Sequence, residues 1–297
     1  MVWLRDIRQG TWRALIVGVP VLIFCLLIAA FIVRWTPGER APDSPSEGRD
    51  FASVSVGVER TCGLKTDGSV VCWDSFGRAR WQGRDFVSVS AGWGHACGVK
   101  TDGSAACWGN NGQGRATPPG GQFAAVSAGG NFTCGVTNRD AVACWGADVY
   151  GQTAAPSGNI TSVSAGGHHA CGVRTDGAVA CWGNDGSGRA TPPGGVFVSV
   201  SAGAVHTCGL RTDGSVSCWG SNEHGQSMPP TGTFLSVSAG SEHTCGVTTD
   251  HSIACWGADT YAGGAPREGH FVSVSAGVGH TCALADSGVL ACWGKGQ

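Results

Sequence analysis

The chain has 297 residues, a net charge of −2 and only 13% charged residues. That balance leaves no basic stripe to neutralise a phosphate backbone, so nucleic acid is not an expected partner. Fifty glycines, set among Ser, Val and Ala with no long helical periodicity after residue 33, point to an all-β domain.

The first element is the exception. Residues 14–33, ALIVGVPVLIFCLLIAAFIV, are uncharged and long enough as a helix to span a bilayer core. Trp12 and Trp35 flank them as interfacial anchors would. Arg5, Arg8 and Arg13 precede the run, opposed only by Asp6, which places residues 1–13 in the cytoplasm and the chain after Arg34 outside. Pro20 inside the run is compatible with a kinked membrane helix. A cleaved signal peptide is the competing reading. The apolar run is long for one, and Ile28-Ala29-Ala30 is a poor cleavage site. Residues 34–50, RWTPGERAPDSPSEGRD, carry three prolines and mixed charges and read as an extended linker.

From residue 51 to 297 the chain repeats. Cysteines pair at 62/72, 97/107, 134/144, 171/181, 208/218, 245/255 and 282/292, always ten apart, and successive pairs start 35 or 37 residues on. A unit reads FVSVSAG-xx-HTCGV-x-TDG-SVxCWG, followed by a Gly/Pro-rich loop. Seven such units mean a solenoid or a closed propeller. Three short strands per unit are predicted, as in Phe197–Ala202, His206–Leu210 and Ser215–Trp219.

The spacing of ten fixes a register. Opposed residues of an antiparallel hairpin have a constant index sum, so pairing Cys208 with Cys218 sets Arg211 opposite Ser215 and leaves the loop Thr212-Asp213-Gly214. A three-residue loop ends in a left-handed residue. That place holds Gly68, Gly103, Gly177, Gly214 and Gly288 in five units, and Asp140 and His251, both tolerant of positive φ, in the other two. Directly opposed cysteines lie within disulfide reach. Seven intra-hairpin disulfides are therefore expected: Cys62–Cys72, Cys97–Cys107, Cys134–Cys144, Cys171–Cys181, Cys208–Cys218, Cys245–Cys255 and Cys282–Cys292. Each closes a short loop worth on the order of 2–3 kcal/mol. The alternative is metal ligation by His-x-Cys and the second Cys.

The remaining repeated residues read as scaffold. The tryptophan after each second cysteine fills the space between neighbouring units. The small, alternating SVSAG run suits strands crowding an axis. His95, His169, His206, His243 and His280 stand two before the first cysteine and are expected to bind neighbouring backbone. Arg60 and Phe132 take that place in units one and three, which spoils a symmetric metal or proton site. Ring closure is expected from unit seven packing on unit one, aided by residues 41–50.

The pattern AGxxHTCGVxTDGxVxCWGxNxxGQ, as in Ala239–Gly257 and Trp219–Gln226, resembles the regulator-of-chromosome-condensation repeat family. The resemblance covers residues 51–297 and implies a seven-bladed β-propeller whose short blades are about three-stranded. The 37-residue period and the GQ-then-PP loop are most similar to secreted bacterial members that inhibit β-lactamases. Paired cysteines replace apolar residues of the usual pattern, as suits an exported bacterial version. The basic, chromatin-facing character of the nuclear members is missing, so exchange-factor activity is not implied. Members of the family mostly bind macromolecules through loops on one face.

The variable slots that would carry such a surface lie between AG and His and after WG. They offer Phe76, Trp93, Tyr150 and Tyr261 as aromatic anchors, with Glu59, Asp185, Glu223 and Glu242 as acidic neighbours. No nucleophile elbow, phosphate loop or metalloprotease motif occurs, and no catalytic residue, metal or cofactor is expected. The expected function is a membrane-anchored, extracytoplasmic protein-interaction module, acting as an accessory or scaffolding subunit of a membrane complex. The alternatives are a glycan-binding or receptor-like adhesion protein and, further off, an enzyme using the central channel.

Overall fold

The computed structural model describes residues 49–74, 77–258, 265–266 and 268–294. The expected cytoplasmic stretch 1–13, the anchor 14–33, nearly all of the linker 34–50, and the candidates Phe76 and Tyr261 lie outside the described residues. Among the described residues no helix is long and apolar enough to cross a membrane.

Seven antiparallel sheets follow one another along the chain. Each begins with an inner strand: Phe51–Val56, Phe86–Ala91, Phe123–Ala128, Ile160–Ala165, Phe197–Ala202, Phe234–Ala239 and Phe271–Ala276. A middle and an outer strand complete the blade, His206–Arg211 and Val216–Gly220 in blade 5. The register is the one read from the cysteine spacing. Cys208 opposes Cys218, and the Arg211 N–H donates to the Ser215 carbonyl. Gly68, Gly103, Asp140, Gly177, Gly214, His251 and Gly288 all have positive φ. The TDG aspartate adds to the turn: Asp213 Oδ1 accepts from the Ser215 N–H at 2.9 Å and its hydroxyl at 2.6 Å. All seven disulfides are present. Their Cα atoms are 4.0–4.1 Å apart, as at the non-hydrogen-bonded pairs of an antiparallel ladder.

Blade 1 departs from the expected three strands. A fourth strand, Ala79–Gly83, pairs with Val70–Asp74 where blades 2 to 5 send out a Gly-rich loop. The shorter first period, 35 residues instead of 37, lies over this change.

The core is a set of interfaces between blades. Each hairpin packs its cysteines and neighbouring residues on the first residue of the next blade's inner strand, Phe in six blades and Ile160 in blade 4, and on its outer-strand tryptophan, as Cys208 and Leu210 do on Phe234 and Trp256. Burying each such phenylalanine contributes about 2–3 kcal/mol. The ring closes the same way, with Leu284 and Leu290 of blade 7 against Phe51 and Trp73 of blade 1. The Phe51 N–H also donates to the Gly288 carbonyl at 3.2 Å.

Two further rings follow the axis. The next-to-last residue of each inner strand, a serine, accepts the N–H of the next blade's inner strand at 2.9 Å: Ser55 from Ala91, Ser201 from Ala239, and across the closure Ser275 from Val56. All seven junctions carry this bond. The glycine of AG then meets the next blade's glycine carbonyl so closely that a Cβ at Gly203 would lie 2.3 Å from the Gly240 oxygen. Only glycine allows this approach.

Candidate functional site

The repeated histidines come first, because five in a ring raise the question of a metal or proton site. Their Nε2 atoms meet a threonine hydroxyl of the next blade: His95 with Thr133, His169 with Thr207, His206 with Thr244 and His243 with Thr281 at 2.7 Å, and His280 with Thr61 at 2.8 Å. The Nε2 partner is thus a side chain rather than the neighbouring backbone that was expected. The hydroxyls of Thr133, Thr207 and Thr244 donate onward to the carbonyls of Arg115, Arg189 and Gln226. Each of these three hydroxyls has one proton, so it must accept from the imidazole, which therefore carries its hydrogen on Nε2. Burial pushes His95, His206 and His243 down to about 4 and His169 to about 3, so the imidazoles are neutral. This is a structural girdle. Arg60 and Phe132 complete the pattern, because the next blade then supplies Ala96 or Ala170 in place of threonine.

The axial cavity is small, about 70 Å3, and is lined by the AG residues and their successors from all seven blades. Its lining is Gly, Ala, Val and Ser, with Trp93 at one side. Among the described residues no group of three His, Cys, Asp or Glu is placed to hold a metal ion.

Beside Trp93, which lines this cavity, the sequence candidates gather in part. Trp93 of blade 2 and Tyr150, from the loop after blade 3, both stand edge-on to the His168 ring of blade 4, at centroid distances of 5.5 and 5.4 Å. His168 was not among the candidates. It occupies the slot before the girdle position, where other blades have Gly, Val, Glu or Asn. Partial burial, and then the Arg189 charge, lower its pKa, so a neutral imidazole lies between two aromatic rings. Tyr150 is 50% exposed and Val149 74%, which leaves an apolar edge open to contact.

The acidic candidates do not join that patch as a set. Asp185 is engaged within its own loop, accepting from the Ala190 N–H and the Thr191 hydroxyl at 2.7 Å. Asn111, Asp148 and Asn222 hold their loops in the same way at the same repeat position. Glu242 faces His224 at 3.8 Å on the surface. Glu59 and Glu223 are exposed.

A search of curated sequences finds no match. Among solved structures, the CRINKLY WD40 ectodomain of the Arabidopsis thaliana receptor kinase ACR4 is similar, with 29% identity and a TM-score of 0.68 over 82% of this chain and 94% of that one. The ectodomain of the Physcomitrella patens receptor kinase CR4 is similar at 27% identity and a TM-score of 0.70, over 83% and 74%. Prp20p from Saccharomyces cerevisiae shares the fold at 15% identity and a TM-score of 0.69, over 80% and 82%. The family model for the regulator of chromosome condensation (RCC1) repeat matches six times, at 86–115, 123–152, 160–189, 197–226, 234–262 and 271–297. More than half of the chain is so matched, and the protein belongs to the regulator of chromosome condensation (RCC1) repeat family.

Proposed function

We propose that this propeller is a protein-binding module held at a membrane by residues 14–33, with the blades on the extracytoplasmic side, serving as an accessory or scaffolding subunit of a membrane complex. One observation carries the reading. Trp93, Tyr150 and His168 come from three consecutive blades and form one aromatic patch, in which Trp93 lines the axial cavity. Amphipathic aromatic groups held rigidly in a partly exposed cluster are what protein interfaces use as anchors. The small, uncharged axial lining supports binding over chemistry, and the protein is read as a non-enzyme.

A second reading is favoured by the likeness to two receptor-kinase ectodomains: an outward-facing, receptor-like or glycan-binding surface. Gentle detergent extraction from native membranes separates the two. The first reading expects a stoichiometric membrane partner that excess simple sugars do not displace. A lone monomer, or binding abolished by sugars, selects the second.

A further inference from the structure

The junction between blades 1 and 2 differs from its neighbours. After blades 2 to 5 the Gly-rich loop threads its backbone between blades. A Cβ on Gly146, Gly183, Gly220 or Gly257 would lie 3.1–3.2 Å from a Cα or Cβ atom of Arg115, Gln152, Arg189 or Gln226. The loop carbonyls are then used. Arg115 and Gln226 each accept both a threonine hydroxyl and a tryptophan Nε1 from the next blade. In blade 1 the strand Ala79–Gly83 takes the loop's part of the chain, and beside Gly109 stands the Arg60 guanidinium instead, its Cζ 3.4 Å from a Cβ built there.

The result is a cleft of about 320 Å3, within the size range of small-ligand sites. Trp73 and Trp108 line it, together with Arg60, Arg78, Arg80 and Asp74. Asp74 is neutralised by Arg78, whose Nε donates to it at 2.8 Å. Asp74 is the one carboxylate among the described lining residues, against the three guanidinium groups of Arg60, Arg78 and Arg80. Arg60 Nε and Trp108 Nε1 are both buried without a hydrogen-bond partner among the described residues. A buried guanidinium N–H left unpaired is costly, and an anion is the partner that removes the cost. Two guanidinium forks match a carboxylate in plane, and the Trp108 indole suits the aliphatic stem that carries it.

We propose that the cleft between blades 1 and 2 is a carboxylate-binding site, in which Arg60 and Arg80 hold the anion and Trp108 flanks its stem. The carboxylate comes either from a free small acid or from an acidic side chain of a bound protein.

The test uses the purified full chain and calorimetric titration with glutarate, with an end-blocked tetraglutamate peptide and with inorganic phosphate. Two variants accompany it. Arg80→Ala removes an exposed charge. Arg60→His with Ala96→Thr installs the pair found at five other junctions, so the fold is kept while the guanidinium is lost. Glutarate or the peptide should bind the wild-type chain, and each variant should bind about tenfold more weakly or worse, as loss of one charge-assisted bond implies. Binding of glutarate identifies a free acid as sufficient; binding of the peptide alone identifies an acidic protein segment. No binding to the wild-type chain, unchanged binding by the folded variants, or phosphate binding as tight as glutarate would each overturn the assignment.

Discussion

Acid should unfold this propeller in a window set by its histidine girdle. His95, His206 and His243 have native pKa values of about 4 and His169 about 3, against an ordinary value near 6.5. The unfolded chain takes up protons that the native one refuses. The girdle's contribution is therefore complete above pH 6.5 and is lost as the pH falls toward 4. Between pH 7 and 5 the loss is about 2 kcal/mol per imidazole, on the order of 7 kcal/mol for the four. That compares with a total stability of roughly 5–15 kcal/mol for a typical domain. The surface aspartates of the TDG turns, held below their usual range by Ser69 or Ser215, act in the same direction but only below about pH 4, so the two effects separate. Urea unfolding at pH 7 and pH 5 with the disulfides intact measures the loss. His206→Phe with Thr244→Ala copies the Phe132 and Ala170 pair, both fully buried, and should reduce the loss by one histidine's share of about 2 kcal/mol. Each single substitution should cost about 1–3 kcal/mol, through a crowded ring or a buried imidazole N–H left without its acceptor, and the pair should cost less than their sum. Equal stability at the two pH values, or a double variant as acid-sensitive as the parent, would refute the reasoning.

Three further outcomes follow from the rings. Gly203→Ala places a methyl 2.3 Å from the Gly240 oxygen and should lower stability by about 3 kcal/mol or more, read as a fall in urea midpoint or in folded yield. Ser201→Ala removes the acceptor of the Ala239 N–H and should cost about 1–3 kcal/mol in the same assay. Seven disulfides at two hydrogens each predict an intact mass that rises by about 14 Da on full reduction, and Cys208→Ala with Cys218→Ala should cost about 2–3 kcal/mol.

Much of the blade is legible in the sequence because it rests on local spacing. Ten residues between cysteines and a glycine, Asp or His at the turn define one register, and the structure has it in all seven hairpins. Interactions between blades are less legible, since they join residues 36–38 positions apart or, at the closure, 219. The His–Thr pairs did leave a signal: threonine follows wherever the preceding blade has histidine, and alanine wherever it has Arg60 or Phe132. Asp185 reads as a free acid until its counterparts Asn111, Asp148 and Asn222 are aligned, after which its loop-holding role is visible. The meeting of Trp93, Tyr150 and His168 has no such signal. It depends on how far each loop leans across the ring, and that is set by tertiary packing.

The protein-binding reading is tested most directly by mapping the face that holds a partner. Tagged full-length chain would be captured from native membranes as wild type, as Trp93→Ala with Tyr150→Ala, and as Val198→Ser with Leu235→Ser. The last pair alters exposed residues at the far end of the inner strands. The account predicts a stoichiometric protein that is lost with the aromatic variant and retained with the other. A partner retained by the aromatic variant, or lost only with Val198→Ser and Leu235→Ser, would contradict it.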